Sequence, residues 1–213
     1  MLIAEQLLLL CCGFGSARRA EAGPRQNRLL AAAVLAELAA LGRLRFLAGL
    51  LIAPDAHPTS SSVLTDALAV LNRRHELSVG HAIDAVHRSH ADLGQELRDS
   101  MVRRGLLERV EQRRLLLPMR VEYRTASDSL HQAIVDTLRR LAIGGDVSDQ
   151  RVLALFAMSE RMGLLPGLLD GHELALGRTA LQRLETDCTG TRAATDPTSE
   201  RARLILALTH PGS

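Results

Sequence analysis

Apolar residues recur at helical spacing along most of the chain, and one segment is apolar on every side. Residues 29–42, LLAAAVLAELAALG, carry a single charged residue, Glu37. A helix without a polar face packs at the centre of a bundle rather than on its surface. The pattern therefore predicts that residues 29–42 form the central helix of the fold and that this helix ends at Gly42.

Amphipathic segments lie on both sides of this central one, separated by glycine, proline and serine positions. Their spacing predicts helices with one apolar face each. These helices cover residues 2–12, 61–74, 79–104 (as a pair), 128–142, 148–163, 172–186 and 199–210. We expect a mainly α fold: a single-domain helical bundle around a central apolar helix, with two short β-hairpins. Residues 1–186 are predicted to form this domain, and residues 187–213 a loop and C-terminal helix packing on it.

Two segments favour the hairpins. The first covers residues 43–54 and turns at residues 47–49, and the second covers residues 105–119 with a charged tip at residues 111–114. The second hairpin places Leu106 and Leu107 on one strand and Leu115, Leu116 and Leu117 on the other. An isolated ribbon does not normally expose so much apolar area to water. We therefore expect this hairpin to contact a membrane or a second copy of the chain.

The N-terminal segment MLIAEQLLLLCCGFGSARRA is open to three interpretations. A secretion signal is disfavoured because Glu5, and no basic residue, precedes the apolar run. A dinucleotide-binding turn is disfavoured because Gly13 and Gly15 have no third glycine and no acid at the end of a second strand. Helical spacing of the apolar residues favours an amphipathic helix that ends near Gly13.

Composition narrows the classes of function. Aromatic residues make up 2% of the chain, too few for a base-stacking surface. All 26 basic residues are Arg, and the net charge of +2 allows an anionic partner without requiring one. Cys11 and Cys12 are adjacent and Cys188 is distant, which suits a reducing cytoplasm better than a disulfide framework. No apolar stretch reaches the roughly 18 residues that cross a bilayer, so membrane contact is expected to be peripheral.

Known catalytic motifs do not occur in the sequence. It contains no nucleophile elbow and no lysine-containing phosphate loop. His81, His87 and His90 lie near Asp84 and Asp92, but no further His or Cys completes a metal-binding set. We therefore expect a protein that is not an enzyme, with no catalytic residues, no metal site and no cofactor.

A nucleic-acid interpretation is an alternative for the second hairpin. A helix followed by a ribbon with Arg113 and Arg114 at its tip has the arrangement of a winged-helix DNA-binding domain. Glu96 and Asp99 on the preceding helix disfavour this interpretation, and no arginine-rich recognition helix precedes the hairpin. Nucleic acid is therefore the less favoured partner.

Several segments together resemble the Golgi phosphoprotein 3 family, including its bacterial members. In the family's order and at about its spacing, they are EQLLLL, LAELAALGRLRF, APDAHPTSSSVLTDAL, VRRGLLERV with LLLPM, and VLALFAMSERMGLL, within residues 2–186. The resemblance implies a mostly helical cytosolic domain that docks on membranes and whose first helix is not cleaved. Eukaryotic members bind phosphatidylinositol 4-phosphate through a basic pocket beside a hydrophobic hairpin and act as adaptors for Golgi enzymes.

The positions that match the family's pocket arginines are not basic here. They hold Ala31, Ala91 and Gly94, and the family's tryptophan is also missing because the chain has none. This departure bears directly on phosphoinositide specificity.

Four arginines near these positions offer a substitute. Arg28 lies one turn before Ala31, Arg98 lies one turn after Gly94, and Arg25 and Arg88 are close in sequence. We expect them to contact the phosphate of anionic phospholipid headgroups on a cytoplasmic membrane surface. A protein–protein adaptor without lipid binding is the other alternative, and protein clients or a homo-oligomer formed through the second hairpin are further expected partners.

Overall fold

The computed structural model describes residues 1–13, 23–54, 57–74, 76–112, 120–144, 148–189 and 197–209. Within these ranges the fold is mainly α, as predicted, with two small antiparallel sheets. The helices are α1 (Ile3–Cys12), α2 (Pro24–Ala40), α3 (Ser62–Asn72), α4 (Val79–Ser89), α5 (Leu93–Arg103), α6 (Asp128–Gly144), α7 (Gln150–Arg161), α8 (Gly171–Thr189) and α9 (Pro197–Thr209). The strands are β1 (Arg45–Leu47), β2 (Leu50–Ile52), β3 (Leu77–Ser78), β4 (Leu107–Gln112) and β5 (Arg120–Thr125), and Leu165–Gly167 forms a 3₁₀ turn.

The central position of α2 is confirmed. It contacts α1, α3, α4, α5, α7 and α9, and Leu35 at its middle is fully buried. The helix begins at Pro24, five residues before the predicted start, because proline at the first helical position needs no hydrogen-bond partner for its nitrogen. The polar N-terminal turns of α2 lack the apolar pattern from which the helix was predicted.

Side-chain contacts define two ends of the bundle. At the N-terminal end of α2, Asn27 Oδ1 accepts a hydrogen bond from the backbone N–H of Gly94 at 2.9 Å, so α5 begins beside α2. At the other end, Glu37 Oε2 accepts from the backbone N–H of Ile3 at 2.9 Å, and its Oε1 pairs with Arg151. Helices α1 and α7 therefore begin near Glu37 and run towards Asn27. We call these two regions the Asn27 end and the Glu37 end.

The first predicted hairpin is confirmed. Strands β1 and β2 pair with Leu47 opposite Leu50, and Ala48 and Gly49 form the turn with φ values of 51° and 83°. Two residues with positive φ match the right-handed twist of the flanking strands. The two-residue strand β3, which pairs with β2, was not predicted. It is too short to produce an alternating pattern.

The predicted register of the second hairpin is wrong. Leu107 pairs with Thr125, and Glu111 lies within β4 opposite Val121 rather than at the tip. The returning strand is residues 120–125, whose alternating RVEYRT pattern is typical of a ribbon with mixed polarity. The predicted strand residues Leu115, Leu116 and Leu117, and the tip residues Arg113 and Arg114, lie outside the described residues.

Helix α9 packs on α2 and α7 and contributes Leu204, Ile205 and Leu208 to the core. Glu200 Oε1 in its first turns accepts a hydrogen bond from the backbone N–H of Phe46 at 2.8 Å, which joins α9 to β1. Helix α8 extends to Thr189, beyond the predicted end at residue 186. The division of the chain at residue 186 stays a prediction.

Candidate anion-binding site

Three arginines come together at the Asn27 end. Arg25 and Arg28 lie in the first turns of α2, and Arg161 is the last residue of α7. The pKa of the Arg161 guanidinium is lowered, first by partial burial and then by the positive charges of Arg25 and Arg28. We call these residues the arginine cluster.

The directions of two helices bring the cluster together. Arg25 and Arg28 are three residues apart, so they share one face of α2. Helix α7 begins at the Glu37 end, where Arg151 pairs with Glu37, and therefore delivers its last residue to the Asn27 end. The N-terminus of α2 adds the positive end of its helix dipole. The cluster thus concentrates positive charge on a surface that water can reach.

Arg28 also contacts a carboxylate. Its Nε donates to Asp84 Oδ1 on α4 at 2.8 Å, and the two side chains are 46% and 34% exposed. The Nη groups of Arg28 donate to no polar atom of the described residues. The end-on fork of the guanidinium is therefore available to a phosphate even while Nε is held.

Arg88 lies beside this pair. It follows Asp84 by one turn of α4 and so lies on the same helix face, and its side chain is exposed. Three of the four arginines predicted to contact a headgroup, Arg25, Arg28 and Arg88, are therefore surface residues of α2 and α4 at the Asn27 end.

Arg98, the fourth, does not lie on the surface, and the expectation that it does is wrong. Its side chain is 2% exposed, and its guanidinium carbon lies 5.5 Å from the centre of the Tyr123 ring. Burial raises the pKa of Cys11 to about 12 and that of Cys12 to about 11, and the nearby charge of Arg98 opposes both shifts. Arg98 therefore belongs to the interior between α1, α5 and β5.

The space between α2 and α5 is closed by a polar network. Asn27 Nδ2 donates to Asp92 Oδ1 at 3.2 Å, and Asp92 Oδ1 also accepts from the backbone N–H of Gln95 at 3.0 Å. With the bond from Gly94 to Asn27, this network satisfies the first turn of α5. Gly94 and Ala31 are both buried beneath it.

The second hairpin runs back along α5. Leu107 is 2% exposed, so the expectation that it faces a membrane or a second subunit is wrong, and Leu106 is partly buried against the core. Tyr123 Oη lies 2.7 Å from Gln95 Nε2 in the first turns of α5. The hairpin starts after the end of α5 and passes its beginning, so Gln112 and Arg120 at the ends of β4 and β5 lie towards the Asn27 end.

Residues 3–204 match the family model of Golgi phosphoprotein 3. The chain belongs to the Golgi phosphoprotein 3 family. No curated protein matches it.

The arginine cluster does not coincide with the family positions that hold Ala31, Ala91 and Gly94 here. Ala31 and Gly94 are buried, and only Ala91 is exposed. In this member of the Golgi phosphoprotein 3 family, the arginine cluster and Arg88 lie around the α2–α4 face and the end of α7. Arg161 was not predicted, because nothing in VLALFAMSERMGLL distinguishes it from an ordinary basic residue near a helix C-terminus.

The histidine-rich helix of this family member does not gather metal ligands. No group of three or more His, Cys, Asp or Glu side chains suited to a metal ion occurs within the described ranges. His90 Nδ1 instead pairs with Glu96 Oε2 at 2.7 Å, and His81 Nδ1 lies 3.0 Å from Ser78 Oγ. Among the helices described, none is long and apolar enough to span a membrane.

Proposed function

We propose that this member of the Golgi phosphoprotein 3 family is a non-enzymatic peripheral membrane protein of the cytoplasm that binds anionic phospholipid headgroups. The binding residues are Arg25, Arg28 and Arg161, with Arg88 beside them. The observations that carry the proposal are the exposure of Arg25 and Arg28 on one face of α2 and the arrival of the exposed Arg161 at the same end of the bundle, where both charges lower its pKa. Like charges repel, and a phosphate between them removes that repulsion while accepting several charge-assisted hydrogen bonds.

The energy of such contacts requires several arginines together. One basic residue near an anionic membrane surface contributes about 1 kcal/mol, which gives only weak binding by itself. Three such residues contribute roughly 3 kcal/mol, or about a hundredfold in affinity, before ordering costs. The cluster therefore supports reversible attachment rather than permanent anchoring.

The direction of the second hairpin supports the same face. The ends of β4 and β5 lie towards the Asn27 end, which also carries the cluster, and residues 113–119 connect the two strands in sequence. Leu115, Leu116 and Leu117 fall in that connecting sequence. Their insertion into the bilayer stays a prediction, and it would supply the apolar contribution that arginines alone lack.

The experiment is vesicle flotation at low and high salt. Wild-type protein is compared with the triple variant Arg25→Gln, Arg28→Gln and Arg161→Gln. A matched control, Arg73→Gln, Arg140→Gln and Arg183→Gln, removes the same charge from exposed arginines just after α3 and on α6 and α8. We expect the cluster variant to bind vesicles containing phosphatidylserine at least tenfold more weakly and the control to remain within about twofold of wild type. High salt should reproduce the effect of the cluster variant.

Two outcomes contradict the proposal. If wild-type protein does not bind anionic vesicles, the lipid-binding proposal is wrong and a protein adaptor is the better function. Equal losses in the cluster and control variants would show that only net charge matters. Vesicles with phosphatidylinositol 4-phosphate, matched in surface charge to the phosphatidylserine vesicles, test the phosphoinositide preference of the family.

The DNA-binding alternative gains no support from the ribbon. Glu108 lies opposite Arg124, Val110 opposite Glu122, and Glu111 opposite Val121 in the paired strands, so acidic residues alternate with basic ones along it. Carboxylates at these positions repel a phosphate backbone. A gel shift with duplex DNA is run beside the flotation assay. We expect wild-type protein to form no complex that depends on Arg113 and Arg114, so the variant Arg113→Gln with Arg114→Gln should behave like wild type.

A further inference from the structure

We infer that Asp84 is an internal competitor for Arg28 and sets how much negative charge a membrane needs before the arginine cluster binds it. This inference rests on the proposed function and concerns its regulation. It assigns a role in headgroup binding to an acidic residue on α4, a helix that contributes none of the three cluster arginines.

Contact between the two residues is direct and accessible. Arg28 Nε and Asp84 Oδ1 are 2.8 Å apart, and both side chains retain a third to a half of their exposure. An ion pair at this degree of exposure is weak enough for a ligand to replace. Asp84 therefore holds Arg28 without locking it.

The other two cluster residues carry no such partner. Neither Arg25 nor Arg161 pairs with a carboxylate of a described residue. Glu160, which precedes Arg161, pairs through Oε1 with Arg178 on α8 at 2.6 Å. The charge that a headgroup meets is consequently reduced at Arg28 and not at Arg25 or Arg161.

A headgroup phosphate can engage Arg28 in two ways, and Asp84 opposes both. Contact through Nε requires the phosphate to displace the carboxylate. Contact through the Nη fork leaves two anions on one guanidinium, which repel each other. The strength measured for exposed ion pairs corresponds to roughly a two- to fivefold change in affinity. Asp84 thus raises the density of anionic lipid at which the protein attaches.

The test is a double-mutant cycle measured by flotation with phosphatidylserine vesicles. We expect Asp84→Asn to bind roughly two- to fivefold more tightly than wild type and Asp84→Glu to bind like wild type. In an Arg28→Gln background, Asp84→Asn should have no effect, because the competition acts through Arg28. Asp66→Asn, which removes an exposed carboxylate from α3, is the charge-matched control and should change binding by less than twofold.

A measurement without vesicles tests the contact between Arg28 and Asp84 independently of lipid binding. The Nε–H proton of Arg28 should exchange with solvent faster in Asp84→Asn than in wild type. Weaker binding by Asp84→Asn would overturn the inference and make Asp84 a positioning residue. An equal gain in the Arg28→Gln background would overturn it in favour of a long-range charge effect. Loss of all vesicle binding in wild type, with the exchange result intact, would overturn both the inference and the proposed function and leave Arg28–Asp84 as a surface ion pair only.

Discussion

The two ends of α2 use arginine in opposite ways. At the Glu37 end, Arg151 and Arg104 pair with Glu37 and Glu5, carboxylates that are almost completely buried. These carboxylates also accept hydrogen bonds from the backbone N–H groups of Ile3, the first residue of α1, and of Leu2, which precedes it. At the Asn27 end, the three arginines of the cluster lie near one another. Arg28 pairs with Asp84, a carboxylate that is partly exposed.

The difference shows that the burial of its acidic partner determines whether an arginine is fixed as part of the fold. A buried carboxylate is costly without its cation, so its partner is fixed as part of the fold. An arginine beside a solvated acid or another cation has little to lose by binding a ligand. The arginines at the Glu37 end therefore stabilise the structure, whereas those of the cluster at the Asn27 end are not held by a buried acid.

The largest expected effect comes from breaking the helix that joins the two ends. Leu35→Asp places a charge where the side chain is fully buried, at a cost of several kcal/mol. We expect no cooperative thermal transition from the folded state. Leu35→Met, which conserves volume, should cost less than about 1.5 kcal/mol. Normal thermal stability of Leu35→Asp would show that α2 is not the centre of the core.

The comparison of the ends is tested directly by matched substitutions. Arg151→Met leaves Glu37 buried without its guanidinium, and we expect a loss of about 2 to 3 kcal/mol in free energy of unfolding, after allowance for the partial exposure of Arg151. Arg25→Met at the other end should change the same quantity by less than about 0.5 kcal/mol. Urea denaturation at neutral pH measures both. Similar losses in the two variants would remove the distinction.

Packing beneath the Asn27 end gives a smaller effect. A Cβ atom at Gly13 would lie 2.1 Å from Cδ2 of His131, so Gly13→Ala must displace that ring. We expect a loss of about 1 to 2 kcal/mol, as for other overpacked sites. Combining Gly13→Ala with His131→Ala should recover most of the loss. No recovery in the double variant would show that the cost arises elsewhere.

A further effect appears only at alkaline pH. Burial raises the pKa of Cys11 to about 12 and of Cys12 to about 11, whereas the unfolded chain releases these protons near pH 9. The unfolded state therefore binds fewer protons between pH 9 and 11, and stability falls as pH rises through this window. Cys11→Ala with Cys12→Ala should flatten that fall in denaturation series at pH 8 to 10.5. An unchanged slope would place the thiols in a solvated environment.

Patterns that repeat along the chain were sufficient for most of the fold. The run of apolar residues in α2 has no other stable position than the centre of a bundle, and Ala48 with Gly49 marks a turn that sequence reveals well. The register of the second hairpin was missed because leucines at residues 115–117 gave a stronger apolar signal than the polar strand that follows them. Amphipathic ribbons carry half the apolar residues of buried strands.

The site was harder to predict because its residues meet only in three dimensions. Counting turns along helices predicted that three arginines lie near one another: Arg25, Arg28 and Arg88. This method predicts proximity within one helix and its neighbour. Counting could not reveal that Arg98 points into the core, since its helix has buried positions on either side. Nor could it bring Arg161 to α2, because that requires the relative direction of two helices far apart in sequence.

The packing of α9 against α2 affects how the chain folds during synthesis. Helix α2 is made early, yet Leu204, Ile205 and Leu208 complete the core around it only when the last described helix has left the ribosome. Contacts between such distant segments slow folding and leave apolar surface uncovered in the meantime. A chain that lacks α9 would thus expose one side of α2. Such a chain is expected to be bound by chaperones or degraded by proteases until α9 packs on the core.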